Sequence, residues 1–195
     1  MKKVIIFLAN GFEEIEAIGT ADILRRGKAR VKIVSITDSK EVEGSNGIKI
    51  IADDLIENIS ETEYEETDMI AFPGGMGNAM SLANSEKVIN IIQTFDKEEK
   101  LIGAICASPA FAIAKSGIAQ GRKITCYPGL ESRLSDSEYV NETVVKDKNL
   151  ITSKGPGTTF QFAYTLLDEL GLNSEEVKKD MIWNNWKEKK YVEGI

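Results

Sequence analysis

The sequence predicts one α/β domain, a largely parallel sheet with helices on both faces. Three observations carry that reading. Short apolar, β-branched runs alternate with longer segments of helical period, the order that threads parallel strands through crossover helices. The length, 195 residues, suits one domain. The composition, 42% hydrophobic and 28% charged, excludes a disordered chain, a collagen-like repeat and a disulfide-dense mini-protein. The span 1–195 reads as a single domain, without internal repeat or low-complexity linker.

Residues 4–8 (Val-Ile-Ile-Phe-Leu) read as a buried strand. Residues 13–26 form a helix with three carboxylates in its first turn, where the dipole favours negative charge, and Gly27 ends it. Arg30–Ser35 is a second strand, and 48–52 an extended piece in a polar stretch. Met69–Phe72 is a strand running into Pro73-Gly74-Gly75. In 85–95, Val88, Ile89, Ile91 and Ile92 keep helical spacing behind Ser85 as N-cap. Leu101–Ile105 is a strand, 109–115 a helix with Pro109 in its first turn, and 123–127 a strand. Residues 138–145 and Leu150–Ser153 pair as a hairpin around Lys146-Asp147-Lys148-Asn149. A long helix runs from about 158 to 170, and an amphipathic one over 174–182. In the tail, Trp183 and Trp186 suit either a core cap or a contact between copies.

Lys+Arg 24 against Asp+Glu 31 gives a net charge of −7, without a basic run to bind nucleic acid or anionic lipid. The apolar run at the N-terminus ends at Ala9 and meets acidic residues at once, so a strand is favoured over a signal peptide. No stretch approaches the ~20 apolar residues that cross a bilayer. Cytoplasmic residence is expected, with Cys106 and Cys126 reduced. The absence of histidine removes every Cys–His or Ser–His pair and every histidine metal site. Neither metal nor cofactor is expected.

All four prolines (Pro73, Pro109, Pro128, Pro156) stand where a strand hands over to a turn or helix. In doubly wound sheets ligands bind at such strand ends. At one of them an apolar strand runs into Cys106, followed by Ala107-Ser108-Pro109 and a helix of small residues. This is the layout of a nucleophile elbow, and the positive end of the helix dipole favours thiolate there. A buried structural cysteine is the alternative. Glu13, Glu14 and Glu16 read first as surface charge, but one of them can turn inward towards Cys106. Beside a thiolate it stays protonated and donates a hydrogen bond. Pro73-Gly74-Gly75-Met76-Gly77 reads as a tight turn, or as a loop whose backbone N–H groups reach a ligand together with that of Ala107.

Gly11-Phe-Glu-Glu-Ile-Glu16, Pro73-Gly-Gly75, Ala104-Ile-Cys106-Ala-Ser-Pro109 and Ser153-Lys-Gly-Pro-Gly-Thr158 resemble, in order and spacing, the successive motifs of the ThiJ/PfpI superfamily. This is the group of the parkinsonism-associated deglycase and its bacterial relatives. The resemblance spans roughly residues 3–172. It implies a flavodoxin-like three-layer sandwich and a homodimer. It also implies Cys106 as the elbow cysteine, Glu16 as the acid that hydrogen-bonds it, and Gly75 and Ala107 as backbone donors to an oxyanion or oxidised cysteine. Gly74, Tyr127, Cys126 and Pro156 would line the pocket.

One departure from the family pattern is Tyr127, which stands where many members carry histidine. A phenol of pKa about 10 is no base near neutrality, which disfavours the protease and amidotransferase chemistries. Cys126 suits either a core position or a resolving thiol for an oxidised Cys106, which requires Cα atoms within ~7 Å.

The expected function is a cysteine-dependent enzyme on small reactive carbonyls, of glutathione-independent glyoxalase or deglycase type. Cys106 is its nucleophile and Glu16 its proton shuttle. The alternative is a redox-responsive stress protein or chaperone whose Cys106 is oxidised to sulfinate. Ester or peptide hydrolysis ranks last.

Overall fold

In the computed structural model, which describes residues 1–183, strands and helices alternate as expected. The order is β1 (Lys3–Leu8), α1 (Glu14–Arg26), β2 (Arg30–Ser35), β3 (Glu41–Glu43), β4 (Lys49–Ile51), β5 (Asp54–Leu55), α2 (Glu61–Glu65), β6 (Met69–Phe72), α3 (Met76–Asn84), α4 (Glu86–Lys97) and β7 (Leu101–Ile105). A π-helical turn, Pro109–Ile113, leads into α5 (Ala114–Ser116). Then come β8 (Lys123–Ile124), β9 (Glu138–Tyr139), β10 (Val144–Asp147), β11 (Leu150–Ser153), α6 (Thr159–Glu169) and α7 (Ser174–Asp180).

Seven strands form the central sheet in the order β10-β11-β7-β6-β1-β2-β5. Every pairing is parallel except β10 with β11. Alternation along β1 explains the three layers. Val4, Ile6 and Leu8 join the apolar cluster that contains Leu24 of α1 and Phe162 and Leu166 of α6. Ile5 and Phe7 face the other way, into a cluster with Ile70, Phe72 and the Val88, Ile92 and Phe95 side of α4. Phe7 and Phe72 stack there with centroids 5.6 Å apart. Both faces are dry, and so the strands read as unbroken apolar runs.

The expected strand over 123–127 is corrected. Only Lys123–Ile124 pairs, with β9 in a small separate sheet, and then the backbone leaves the ladder. The Thr125 N–H goes to the Thr152 hydroxyl at 3.0 Å and the Tyr127 N–H to the Cys106 carbonyl at 2.8 Å. The expected strand over 138–145 is broken into β9 and the start of β10. The helix over 109–115 opens as the π-helical turn, and the last helix stops at Asp180. Helix α3 begins at Met76, inside the stretch expected as a turn, because Gly75 and Gly77 mask its start. It and the short β3, β5 and α2 have no counterpart among the expected elements.

Trp183 stacks on Phe160 at 5.4 Å and meets Tyr164 edge-on at 5.6 Å, so within this chain it packs on α6. Trp186 lies outside the described residues. Among the described residues no helix is long and apolar enough to cross a membrane.

Candidate active site

Strands β1, β6, β7 and β11 end side by side, and the Cys106 elbow lies among them. Cys106 follows β7 with φ at +66°, the left-handed region that costs a non-glycine residue roughly 1–3 kcal/mol. Two backbone bonds hold it there. Its N–H donates to the Ser153 carbonyl at 2.9 Å, and its carbonyl accepts the Tyr127 N–H. The neighbouring β11 and the chain leaving β8 thus impose the bend. The side chain is 7% exposed.

The three carboxylates of the first turn go three ways. Glu13 is the N-cap of α1 and accepts the Glu16 N–H at 2.7 Å. Glu14 is buried and holds the loop after β3, accepting from the Asn46 N–H at 2.6 Å, Asn46 Nδ2 at 2.8 Å and Ser45 Oγ at 3.2 Å. Those bonds hold its carboxyl below the usual range despite burial, which pushes the other way. Glu16 is fully buried and turned into the site, where its Oε2 accepts the Gly74 N–H at 2.6 Å. The surface-charge reading therefore fails for Glu14 and Glu16.

Burial pushes the Glu16 carboxyl up to about 8, against the pull of the Gly74 N–H and the Cys106 thiol. Its protonation at neutrality matches the expectation, although burial rather than a neighbouring thiolate is the main cause. Burial also pushes the Cys106 thiol up, to about 12, and the Glu16 charge adds to it. The N–H groups of Gly75 and Ala107 pull the other way. Burial and the carboxyl thus oppose the thiolate that the short helix behind the elbow favours. The two groups titrate as a coupled pair, and burial favours the protonated form of each.

The glycines are required by space. A Cβ on Gly74 would lie 2.5 Å from Cys106 Cβ and 2.7 Å from Glu16 Oε2. Gly75 has φ at +83°, and a Cβ there would collide with the Gly11 carbonyl oxygen. Only this pair lets the backbone lie against both reactive side chains.

A sequence model of the DJ-1/PfpI family matches residues 2–169. The chain belongs to the DJ-1/PfpI family. Protein DJ-1 homolog B of Arabidopsis thaliana is 38% identical over 167 residues, 86% of this chain. This chain spans only 37% of that plant protein and 42% of its homolog A, so it corresponds to less than half of either. A glutathione-independent glyoxalase of Caenorhabditis elegans is 32% identical, with 81% of this chain and 82% of the relative covered. Among solved structures, a DJ-1 superfamily protein of Salmonella typhimurium superposes with a TM-score of 0.86 at 33% identity, covering 96% of this chain and all of that one. An oxidised DJ-1 of Toxoplasma gondii gives 0.87 at 34%, with the same coverage.

The remaining expected residues of this DJ-1/PfpI site divide. Tyr127 is 47% exposed, and its ring lies against Gly155, where a Cβ would sit 3.3 Å from Cδ2. Pro156 opens the short turn before α6. Cys126 is instead fully buried in the apolar cluster containing Ile124 and Leu134, whereas Cys106 belongs to the cluster on the other face. A cysteine sealed there lines no pocket. Burial pushes its thiol up to about 12, which makes it a poor resolving nucleophile.

Two supports had no sequence signal. Asn78, inside α3, is fully buried, with Oδ1 accepting the Ala9 N–H at 2.6 Å and Nδ2 donating to the Pro73 carbonyl at 2.7 Å. Ser108 Oγ donates to that same carbonyl at 2.6 Å. Among the described residues no group of three or more His, Cys, Asp or Glu could hold a metal ion.

Proposed function

We propose that this chain is a cysteine-dependent enzyme acting on small α-oxoaldehydes, of glutathione-independent glyoxalase or deglycase type. The observation that carries the reading is a fully buried carboxyl, Glu16, bonded to the Gly74 N–H and packed beside a cysteine on a strained elbow. A proton carrier works best with a pKa close to the operating pH, and Glu16 meets that condition without histidine. The name of the nematode relative points the same way.

With methylglyoxal, the Cys106 sulfur bonds to the aldehyde carbon. Its proton passes by way of the Glu16 carboxylate to the carbonyl oxygen, giving a hemithioacetal. The Gly75 and Ala107 N–H groups stabilise that oxygen while it is negative. Glu16 then takes the proton from the former aldehyde carbon and returns it to the neighbouring carbon, while the hydroxyl proton passes from the first oxygen to the second by way of the same carboxyl, leaving a lactoyl thioester. Water hydrolyses the thioester, releasing lactate and restoring the thiol. The sum is methylglyoxal plus water to lactic acid, without glutathione. Lactate formation by the pure protein is the test. Loss of at least about a hundredfold is expected in Cys106→Ser, and an unchanged rate there would defeat the scheme.

The same donors favour a second reading, a redox-responsive protein in which Cys106 is held as a sulfinate. A protonated Glu16 and two N–H groups suit sulfinate oxygens as well as a hemithioacetal, and one structural neighbour is an oxidised protein. A gain of about 32 Da on Cys106 after mild peroxide, with negligible lactate, selects this reading.

The proposal sets the reaction in the cytoplasm, where the thiol stays reduced. Its partners are the carbonyl substrate and a second copy of the chain, rather than nucleic acid or membrane. Support for the dimer is the exposure of Ile15 and Ile18 on α1 together with Ile48 and Ile51 around β4.

A further inference from the structure

One carbonyl oxygen, that of Pro73, is held from two sides. Asn78 Nδ2 reaches it at 2.7 Å from α3, and Ser108 Oγ at 2.6 Å from the elbow. Asn78 is itself anchored to the end of β1 through the Ala9 N–H. The ends of β1, β6 and β7 are therefore tied together at a single oxygen. A peptide unit is planar, with its carbonyl and N–H pointing in opposite directions. Fixing the Pro73 carbonyl therefore fixes the Gly74 N–H, and that N–H is the one Glu16 Oε2 accepts at 2.6 Å. Glycine at 74 has the backbone freedom to turn this peptide elsewhere, so the clamp selects its orientation.

We propose that Asn78 and Ser108 are positioning residues, which clamp the Pro73–Gly74 peptide so that its N–H is aimed at Glu16 and sets how readily Glu16 exchanges its proton beside Cys106. This rests on the reading of Glu16 as the proton carrier of the site. Neither residue touches a reacting atom. Ser108 is two residues from the nucleophile, so the clamp also fixes the donor of Glu16 relative to the elbow. The titratable groups facing Glu16 are Cys106 from the elbow and Glu13 from its own helix. The loop after β6 and the segment before α6 offer it only the backbone of Gly74 and Gly155.

Alkylation of Cys106 by iodoacetamide, followed by mass spectrometry across a pH series, reads this proton without any carbonyl turnover. In the wild type the rate rises roughly tenfold per pH unit until the pair loses its first proton, then flattens near pH 8. Ser108→Ala loosens the donor to the carboxylate and moves the break upward by about half a pH unit or more. Glu16→Gln abolishes the break, and adding Ser108→Ala to that background leaves the profile unchanged. An unmoved break in Ser108→Ala, or an equal shift in the Glu16→Gln background, overturns the proposal. Asn78→Asp keeps the acceptor for Ala9 and loses the donor to Pro73, and it carries the same comparison if Ser108→Ala does not fold. Absence of lactate formation with an intact, clamp-dependent break would defeat the carbonyl chemistry and leave the clamp standing.

Discussion

Glu16 carries two opposite demands, and its pH dependence follows from both. A carboxyl raised from 4.5 to about 8 binds its proton in the folded chain over a range where the unfolded chain has lost it. The contribution of Glu16 to stability is therefore fully present below about pH 4.5 and is eroded as pH rises towards 8. Glu16→Gln removes that penalty. Its melting temperature should exceed that of the wild type by several degrees at pH 8, with the gap closing near pH 4.5, as read by calorimetry at both pH values. Turnover has the reverse sign. In the proposed scheme the ionised carboxylate is the base, so lactate formation should climb through the neutral range and level off above about pH 8. Glu16→Gln should fall by about a hundredfold or more. A flat profile, or an active Glu16→Gln enzyme, would remove Glu16 from the chemistry. Cys106 was legible in the sequence as the point where an apolar strand meets small residues and a proline. The opposing pull on its thiol was not, because the dipole of the following helix is visible in a sequence and the burial that raises the thiol is not.

Among the elements, those with two buried faces were legible and those defined by side chain-to-backbone bonds were not. β1, β6 and β7, at the middle of the sheet, carry nearly uninterrupted apolar runs, which burial on both faces demands. The stretch after β8 is apolar too, but Thr125 and Tyr127 spend their N–H groups on Thr152 and Cys106, and a strand could not be told from a tether by pattern alone. α3 hides behind glycines chosen for the site rather than for a helix. The tip of the β3–β4 hairpin is held by a carboxylate as well as by backbone bonds to residues 11 and 12: Glu14 accepts from Asn46 and Ser45 there. Hydrogen bonds to a charged group contribute about 1.5–3 kcal/mol each. Glu14→Ala should cost about 2–4 kcal/mol in urea unfolding and should speed hydrogen exchange at the Asn46 amide, whose partner is lost. Unchanged protection at Asn46 would show that the hairpin stands without Glu14. Because the bonds hold this carboxyl below its ordinary range, its contribution is present at neutral pH and fades as acid protonates it, opposite in sign to Glu16.

At the scale of the whole molecule, four exposed isoleucines lie on two elements that one carboxylate joins. Ile15 and Ile18 lie on the outer side of α1, and Ile48 and Ile51 around the hairpin that Glu14 ties to that helix. Glu14 accepts the Ile48 N–H at 3.4 Å, which ties the segment carrying Ile48 to the helix carrying Ile15 and Ile18. Such a surface is costly to leave in water. In the proposed dimer a second copy of the chain would meet it with the same apolar residues, as a two-fold contact requires. The net charge of −7 opposes that association through long-range repulsion, which salt screens. The dimer should therefore tighten as ionic strength rises, unlike one held by ion pairs. Ile15→Lys distinguishes burial from charge, because it relieves the net negative charge while placing an ammonium in the apolar patch. Sedimentation should show the wild type as a dimer and Ile15→Lys as a monomer at the same concentration, with its fold intact by circular dichroism. A dimer unaffected by Ile15→Lys would place the contact on another face. A wild type that stays monomeric at high salt would remove the partner, and with it the reason for leaving four isoleucines uncovered.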